Sequence, residues 1–215
     1  MFNFNISDLL FRLPAVVVAL TFHEFCHGFS AYKLGDDTAR NMGRLSLNPL
    51  RHLDPIGFLC LTFFRFGWAK PVQVNPNNFR SVDRKTGMLL TALAGPMSNI
   101  ILCFICVGIF SLIPIKVFNA LPRFLAAWLF GFLQYLIVIN ASLAFFNLIP
   151  VPPLDGSKIL FWLLPNRMYY ITQTLEQYGF IIIMLLIVSN IPEMILGPLT
   201  SGLVSSFYQF FHLFS

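Results

Sequence analysis

The sequence predicts an all-α polytopic membrane protein with about four transmembrane helices and a small β-strand element in a cytoplasmic, membrane-proximal loop. Of its 215 residues, 57% are hydrophobic and only 11% are charged, whereas a soluble domain carries roughly a quarter charged residues. Uncharged apolar stretches recur from one end of the chain to the other, and no polar linker separates them. We therefore expect residues 1–215 to form a single membrane-embedded domain.

Four stretches are long enough to cross the hydrocarbon core as a helix, which takes about 20 residues. These predicted spans are Leu9–Ala31, Met88–Ile113, Phe124–Leu148 and Tyr178–Leu199. Phe58–Phe66 is apolar but too short and contains Arg65, which favours a re-entrant or interfacial segment. Leu199–Phe214 repeats apolar residues every four positions, with polar residues between them, which predicts an interfacial helix.

Basic residues determine the expected orientation. Nine of the 14 Lys and Arg residues lie between residues 33 and 85, and Lys158 and Arg167 follow the third span. Short loops rich in Lys and Arg favour the cytoplasmic side of the membrane. We therefore expect a multi-pass protein of the plasma membrane with both loops in the cytoplasm and the N-terminus outside. The net charge of +5 suits loops that face anionic lipid and gives no reason to invoke nucleic acid.

The long first loop is rich in turn-forming residues and contains short segments of high β propensity. Gly43–Pro49 and Trp68–Pro76 are the two clearest of these segments. Prolines, glycines and asparagines bound them, as at the ends of short strands. We therefore expect an ordered loop with a small strand element at the cytoplasmic face.

The first span contains His23-Glu24-Phe25-Cys26-His27. On a helix, the i, i+4 spacing places both imidazoles on one face, where they can share a tetrahedral Zn²⁺, and Glu24 can reach a metal-bound water. A pair of hydrogen-bonded core histidines is the structural alternative. Each ionisable group inside a span costs about 2 to 3 kcal/mol or more unless it is paired. Because a metal offsets that cost, the zinc site is favoured.

Two histidines need at least one further ligand. The candidates are Asp8, Asp36, Asp37, Asp54, Asp83, Asp155, Cys26, His52 and His212. Asp155 is the acidic candidate that adjoins the end of another span, and the prolines before it allow the backbone to turn it toward the first span. As alternatives, Asp155 could cap a following helix, and Cys26 lies on a similar face of the first span to His23.

Short motifs follow one another along nearly the whole chain. They include Thr21–His27, Leu34–Ala39, Gly43–Pro49, Asp54–Gly57, Gly67–Val72, Ala94–Asn99, Phe146–Pro150 and Leu154–Gly156. Their order resembles the site-2 protease family of intramembrane zinc metalloproteases, in its compact form without PDZ or CBS domains. The chain departs from this pattern after Gly57, where the segment over residues 56–68 is shorter than is usual in the family.

The resemblance implies a single metalloprotease domain with one Zn²⁺ per chain, held by His23, His27 and Asp155. It implies Glu24 as the catalytic base and Asn147 as a polar group near the scissile carbonyl, although Asn147 could equally cap a helix end. The implied function is hydrolysis of peptide bonds within or near transmembrane segments, as in regulated intramembrane proteolysis. The expected substrate is a protein with a transmembrane helix in the same bilayer, and the site would open toward the cytoplasm.

Two other functions compete with proteolysis. A membrane metal transporter could use the histidine pair as a transit site, which would also place ionisable groups inside the membrane. An inactive scaffold is the other alternative, although the predicted zinc and base positions are all intact. The oligomeric state is not determined by any of these features.

Overall fold

The computed structural model describes residues 6–64, 67–189 and 191–213. Its helices are α1 (Ile6–Lys33), α2 (Thr38–Asn41), α3 (Pro55–Phe64), α4 (Arg84–Leu112), α5 (Ile115–Ala120), α6 (Arg123–Asn147), α7 (Gly156–Leu163), α8 (Tyr169–Val188) and α9 (Ile191–His212). Four of them, α1, α4, α6 and α8, are long and apolar enough to cross a membrane. The prediction of a multi-pass helical membrane protein with four spans is therefore confirmed.

Helices α1, α4 and α6 pack against one another around small side chains. Ala15, Cys103 and Ala141, one from each helix, are fully buried in this core. Small side chains let transmembrane helices approach closely, and polar side chains can then bond between them. The Nδ2 atom of Asn99 in α4 donates to Oδ1 of Asn140 in α6 at 2.7 Å, so a buried hydrogen bond joins two of the helices.

The fourth span does not lie where the sequence predicted it. Tyr178–Leu199 falls on two helices, because α8 ends at Val188 and α9 begins at Ile191. Apolar residues continue across this break, so hydropathy alone does not reveal it. Pro192 lies in the first turn of α9, where a missing N–H breaks no helical hydrogen bond, and it is the local signal that a new helix starts there.

Helix α9 contains most of the segment predicted to be an interfacial helix, and one face of it packs on the bundle. The ring of Phe104 in α4 lies 5.1 Å from that of Phe207 and 4.9 Å from that of Phe211, measured between centroids. Leu203 packs against the same core. The depth of α9 in the membrane stays a prediction, and Phe214 lies outside the described residues.

The predicted β-strand element is wrong for the part of the chain that the structure describes. One isolated antiparallel bridge joins Leu53 and Ala69, and it does not extend into a ladder. Pro71 has no N–H to continue the pairing. The next N–H group, from Val72, donates to a carboxylate of α1 instead of to a neighbouring strand. The segment is therefore extended, as its β propensity predicts, but it bonds the side chain of Glu24 instead of a neighbouring strand.

The segment after Asp54 forms α3 and then returns toward its own beginning. The 10 residues of α3 rise about 15 Å, about half the thickness of a hydrocarbon core. A Cβ on Gly57 would collide with the backbone of Trp68, and one on Gly67 would collide with the carbonyl of Gly57. Whether this short helix enters the membrane or lies at its surface stays a prediction, and Arg65 and Phe66 lie outside the described residues.

Candidate metal centre

Helix α1 brings His23 and His27 to one point. The two Nε2 atoms lie 3.0 Å apart, and the rings meet edge to face with centroids 4.5 Å apart. Both side chains are buried. This is the geometry that the i, i+4 spacing predicts for a continuous helix.

Asp155 reaches the same point from the segment that joins α6 to α7. Its Oδ2 atom lies 3.1 Å from Nε2 of His23 and 3.2 Å from Nε2 of His27. Asp155 stands at the N-cap position of α7, but its side chain makes no capping hydrogen bond. A Cβ on Gly156 would collide with the carbonyl of Leu148, so this glycine permits the tight turn that aims Asp155 at α1. The capping alternative for Asp155 therefore has no support in this structure.

The three donor atoms fit a zinc ion. Tetrahedral zinc with ligands at about 2.0 to 2.1 Å separates its donor atoms by about 3.3 Å, close to the distances of 3.0, 3.1 and 3.2 Å between these atoms. Oδ2 of Asp155 is buried and has no hydrogen-bond donor among the described residues, as expected of an oxygen that holds a cation. His23, His27 and Asp155 are the group of possible metal ligands in the described chain, and Cys26 is not part of it.

Helix α4 fixes the tautomer of both imidazoles. Nδ1 of His23 lies 2.6 Å from Oδ1 of Asn99, and Nδ1 of His27 lies 2.7 Å from the carbonyl oxygen of Thr91. A carbonyl oxygen can only accept, so each Nδ1 carries the proton and donates it. Each Nε2 therefore keeps a lone pair for a metal, and the rings are held in the orientation that binding needs.

The amide of Asn99 is itself held in place. Its Nδ2 donates to the carbonyl of Ala19 at 3.2 Å and to Oδ1 of Asn140 at 2.7 Å, so its Oδ1 must be the atom that faces His23. The sequence singled out neither Asn99 nor Asn140 as part of the site. A buried amide in an apolar span needs several hydrogen-bond partners, and this rule could have pointed to Asn99. One of its partners is the predicted ligand His23.

Gly95 lets α4 lie directly on the two imidazoles. A Cβ at this position would overlap the ring of His27 and lie 2.6 Å from Cε1 of His23. Even alanine, the smallest residue with a Cβ, does not fit here unless the rings or the helix move. Gly95 is therefore a part of the metal centre that the sequence motif alone did not identify.

Glu24 follows His23 on α1 and is half-buried. Its Oε2 atom accepts the N–H of Val72 at 2.8 Å, and its other oxygen accepts no hydrogen bond from the described residues. The carboxylate is thus held at one oxygen and free to accept a proton at the other.

Asn147 is the last residue of α6. Its Nδ2 donates to the carbonyl of Leu143, one turn earlier, at 2.9 Å, as the capping alternative predicts. An amide nitrogen carries two hydrogens, so one remains for another acceptor. The role of Asn147 near a scissile carbonyl stays a prediction.

Asn99→Ala should weaken zinc binding about 10-fold to 100-fold, because His23 loses the acceptor that fixes its proton and ring orientation. The measurement is competition with a chelator of known zinc affinity. Thr200→Ala is the matched control, since Thr200 is also buried but lies on α9, where its hydroxyl is 3.4 Å from that of Ser142. Wild-type zinc affinity in Asn99→Ala would contradict the orienting role.

Comparison with known proteins places the chain in a family. Residues 111–189 match Peptidase family M50. A Bacillus subtilis (strain 168) protein named "Putative zinc metalloprotease YwhC" is 38% identical over 202 residues, which cover 93% of this chain and 90% of the relative. "Putative zinc metalloprotease MJ0611" of Methanocaldococcus jannaschii is 32% identical over 162 residues, or 74% of each chain. No solved structure matches.

The family match and the geometry of the site both point to a zinc-binding protein. The segment that matches the family contains Asp155, and the Bacillus subtilis relative aligns with 93% of the chain. Family membership implies zinc, and the described residues contain a group of donors that fits it. The chain therefore belongs to peptidase family M50, the family of the site-2 proteases.

Proposed function

We propose that this protein is an intramembrane zinc metalloendopeptidase, with one Zn²⁺ per chain, that hydrolyses peptide bonds within or near transmembrane segments of other membrane proteins. Regulated intramembrane proteolysis is the process that such an activity would serve. The observation that carries the proposal is the convergence of His23, His27 and Asp155, with Glu24 beside them, on a helix apolar enough to span a membrane. The whole of residues 1–215 would form this one domain.

The roles of the residues follow from their chemistry. His23, His27 and Asp155 would hold the ion, and a bound Zn²⁺ supplies Lewis acidity that lowers the pKa of water and polarises a carbonyl oxygen. Glu24 would accept the proton of the attacking water at its free carboxylate oxygen and return it to the nitrogen of the leaving amine. The second hydrogen on Nδ2 of Asn147 would donate to the developing oxyanion.

A metal transporter is less well supported. Transport requires a succession of sites along a path through the membrane. Among the described residues, one group of three possible ligands is present, and a carboxylate stands next to it as a base would. A single set of three ligands leaves a fourth position open for water. Together with an adjacent proton acceptor, it favours hydrolysis over transport.

Asp155→Ala should lose both zinc and peptide hydrolysis, because it removes one of three ligands. The assay incubates the purified protein with a transmembrane peptide, with and without a chelator, and measures fragments and bound zinc. Asp37→Ala is the matched control, since Asp37 is partly exposed and pairs with Arg40 at 3.6 Å, away from the metal centre.

Two outcomes would contradict this assignment. Stoichiometric zinc at unchanged affinity in Asp155→Ala would show that another residue completes the site. A wild-type protein that holds zinc but yields no chelator-sensitive fragments from any transmembrane peptide would favour the transporter or the scaffold.

We propose that the protein lies in the plasma membrane with its N-terminus outside the cell. In this orientation, the metal centre opens toward the cytoplasm. His27 lies six residues before the end of α1 at Lys33, or about 9 Å along the helix. The loop that follows contains most of the basic residues. The metal centre therefore lies close to the end of the span that we assign to the cytoplasm.

Cysteine labelling tests this orientation. In a protein whose four native cysteines are replaced by serine, Leu50→Cys should react only with a reagent on the cytoplasmic side, and Lys116→Cys only with one outside. Both side chains are exposed on the surface of the protein, and labelling of each variant in detergent is the control for burial in lipid. The reverse pattern would mean that the metal centre faces the other compartment.

A further inference from the structure

An extended segment, Ala69–Asn75, passes beside α1 and contacts the Glu24 carboxylate. Near its beginning, the N–H of Lys70 donates to the carbonyl of His52 at 2.7 Å. In its middle, the N–H of Val72 donates to Oε2 of Glu24 at 2.8 Å. At its end, the N–H of Asn75 donates to Oδ2 of Asp36 at 2.7 Å. The segment is thus fixed at both ends and contacts the base between them.

The side chain of Val72 also lies against α1. A Cβ built on Gly28 would be 3.2 Å from Cγ1 of Val72, which is tighter than an ordinary van der Waals contact, so the segment packs closely on the helix at this glycine. The N–H groups of Gln73 and Val74 donate to no described residue, and Pro71 has none. Between its two anchored ends, the segment therefore makes a single backbone hydrogen bond with the described chain, and that bond is to Glu24.

Asp36 is the anchor at the far end. It lies three residues beyond α1 and is fully buried. Besides Asn75, it accepts the N–H of Thr38 at 3.0 Å, the Thr38 hydroxyl, and Nδ2 of Asn78 at 2.9 Å. Burial acts to raise the pKa of Asp36, but the hydrogen bonds from Thr38, Asn75 and Asn78 outweigh it and lower the pKa. The carboxylate is therefore ionised at neutral pH, and its bonds are charge-assisted and strong.

This arrangement has a consequence for Glu24. A glutamate side chain on a helix has several rotatable bonds, and the described residues offer its carboxylate one hydrogen-bond donor, Val72. The position of that donor depends on how the segment is anchored. Because a misplacement of about 1 Å at a catalytic group can cost about 100-fold in rate, the anchor affects catalysis without touching the substrate.

We propose that Asp36 is a positioning residue for the catalytic base: by holding the N–H of Asn75, it keeps the N–H of Val72 on one oxygen of Glu24 and leaves the other oxygen to accept a proton. This inference rests on the proposed function in one respect, namely that Glu24 is the base. The link between Asp36 and Glu24 is a structural statement that can be tested without activity.

The kinetic test compares Asp36→Asn with Asp37→Asn. In the wild type, the donors share both carboxylate oxygens of Asp36. The asparagine amide offers them one accepting oxygen, so the bond to the N–H of Asn75 is lost or weakened. Asp36→Asn should lower kcat for a transmembrane peptide about 10-fold to 100-fold, with KM and zinc content unchanged, at a temperature below the Tm of the variant, which falls because a buried charge-assisted acceptor is lost. Asp37→Asn removes the same charge from the neighbouring residue and should keep the wild-type kcat. A merely structural role predicts that zinc content falls together with kcat.

Amide hydrogen exchange at single-residue resolution tests the link itself. In the wild type, the amides of Val72 and Asn75 should exchange more slowly than those of Gln73 and Val74. Asp36→Asn should accelerate exchange at both Val72 and Asn75, whereas Glu24→Ala should accelerate it at Val72 alone. These measurements need no substrate.

Each outcome decides a separate question. Wild-type kcat in Asp36→Asn overturns the proposal, and so does faster exchange at Asn75 with unchanged exchange at Val72. Should Asp36→Asn fail to fold, the Glu24→Ala protein decides, because unchanged exchange at Val72 there overturns the proposal. A wild-type protein that binds zinc but cleaves nothing refutes the proposed function instead, and the exchange results then still support or overturn the link between Asp36 and Glu24.

Discussion

A Glu24→Gln protein should bind zinc as the wild type does and cleave a transmembrane peptide about 100-fold to 10,000-fold more slowly, the usual contribution of a general base. The amide keeps the shape of the side chain, and its oxygen can still accept the N–H of Val72. It cannot accept a proton at neutral pH, so the attacking water is not activated. The measurements are bound zinc and the single-turnover rate of fragment formation.

Glu176→Gln is the matched control for this change. Glu176 lies on α8 and pairs with Lys158 at 3.5 Å in an exposed position, so the same substitution there should leave the rate unchanged. Wild-type hydrolysis by Glu24→Gln would assign the base to another residue. If the expected loss is found, proteins that co-purify with the inactive variant would identify the substrate, which the sequence does not name.

Gly95→Ala should lose zinc and hydrolysis together. The added methyl group would occupy space taken by the ring of His27 and come within 2.6 Å of Cε1 of His23. Inserting a methyl group into a packed interior typically costs about 1 to 3 kcal/mol. Any rotation of the rings that relieves the overlap moves Nε2 away from Asp155. Zinc content after purification and chelator competition measure the effect.

Gly197→Ala is the control for this prediction. Gly197 is also a helical glycine in an apolar helix, but no described atom outside the backbone of its own helix turn lies within 4 Å of its hypothetical Cβ. Alanine favours a helix over glycine by about 1 kcal/mol, so neither substitution weakens its helix, and a loss confined to Gly95→Ala comes from contact with the imidazoles. Wild-type zinc affinity in Gly95→Ala would contradict the packing of α4 on the metal centre.

The placement of the two histidines side by side could be predicted from sequence because its geometry is local. His23, Glu24 and His27 lie within five residues of one helix, and the four-residue spacing of the histidines alone places both imidazoles on one face. The number of spans was predictable for a similar reason, since hydropathy reports each segment on its own. Asp155 was the leading candidate for a third ligand because it is acidic and because the prolines before it exclude a continuing helix. The boundary between α8 and α9 was missed, because both helices are apolar and composition does not change between them.

The tertiary structure decided everything that depends on contacts between distant segments. Asn99, which orients His23, lies 76 positions away from it in the chain, and Val72, which bonds Glu24, lies 48 positions away. No periodicity relates such pairs, because they meet only where α4 and the extended segment pack on α1. The same packing turned a segment with β propensity into a chain whose N–H groups bond carboxylates. Sequence thus determined which residues can hold the metal, since their spacing is set within one helix, and tertiary structure determined what holds those residues in place.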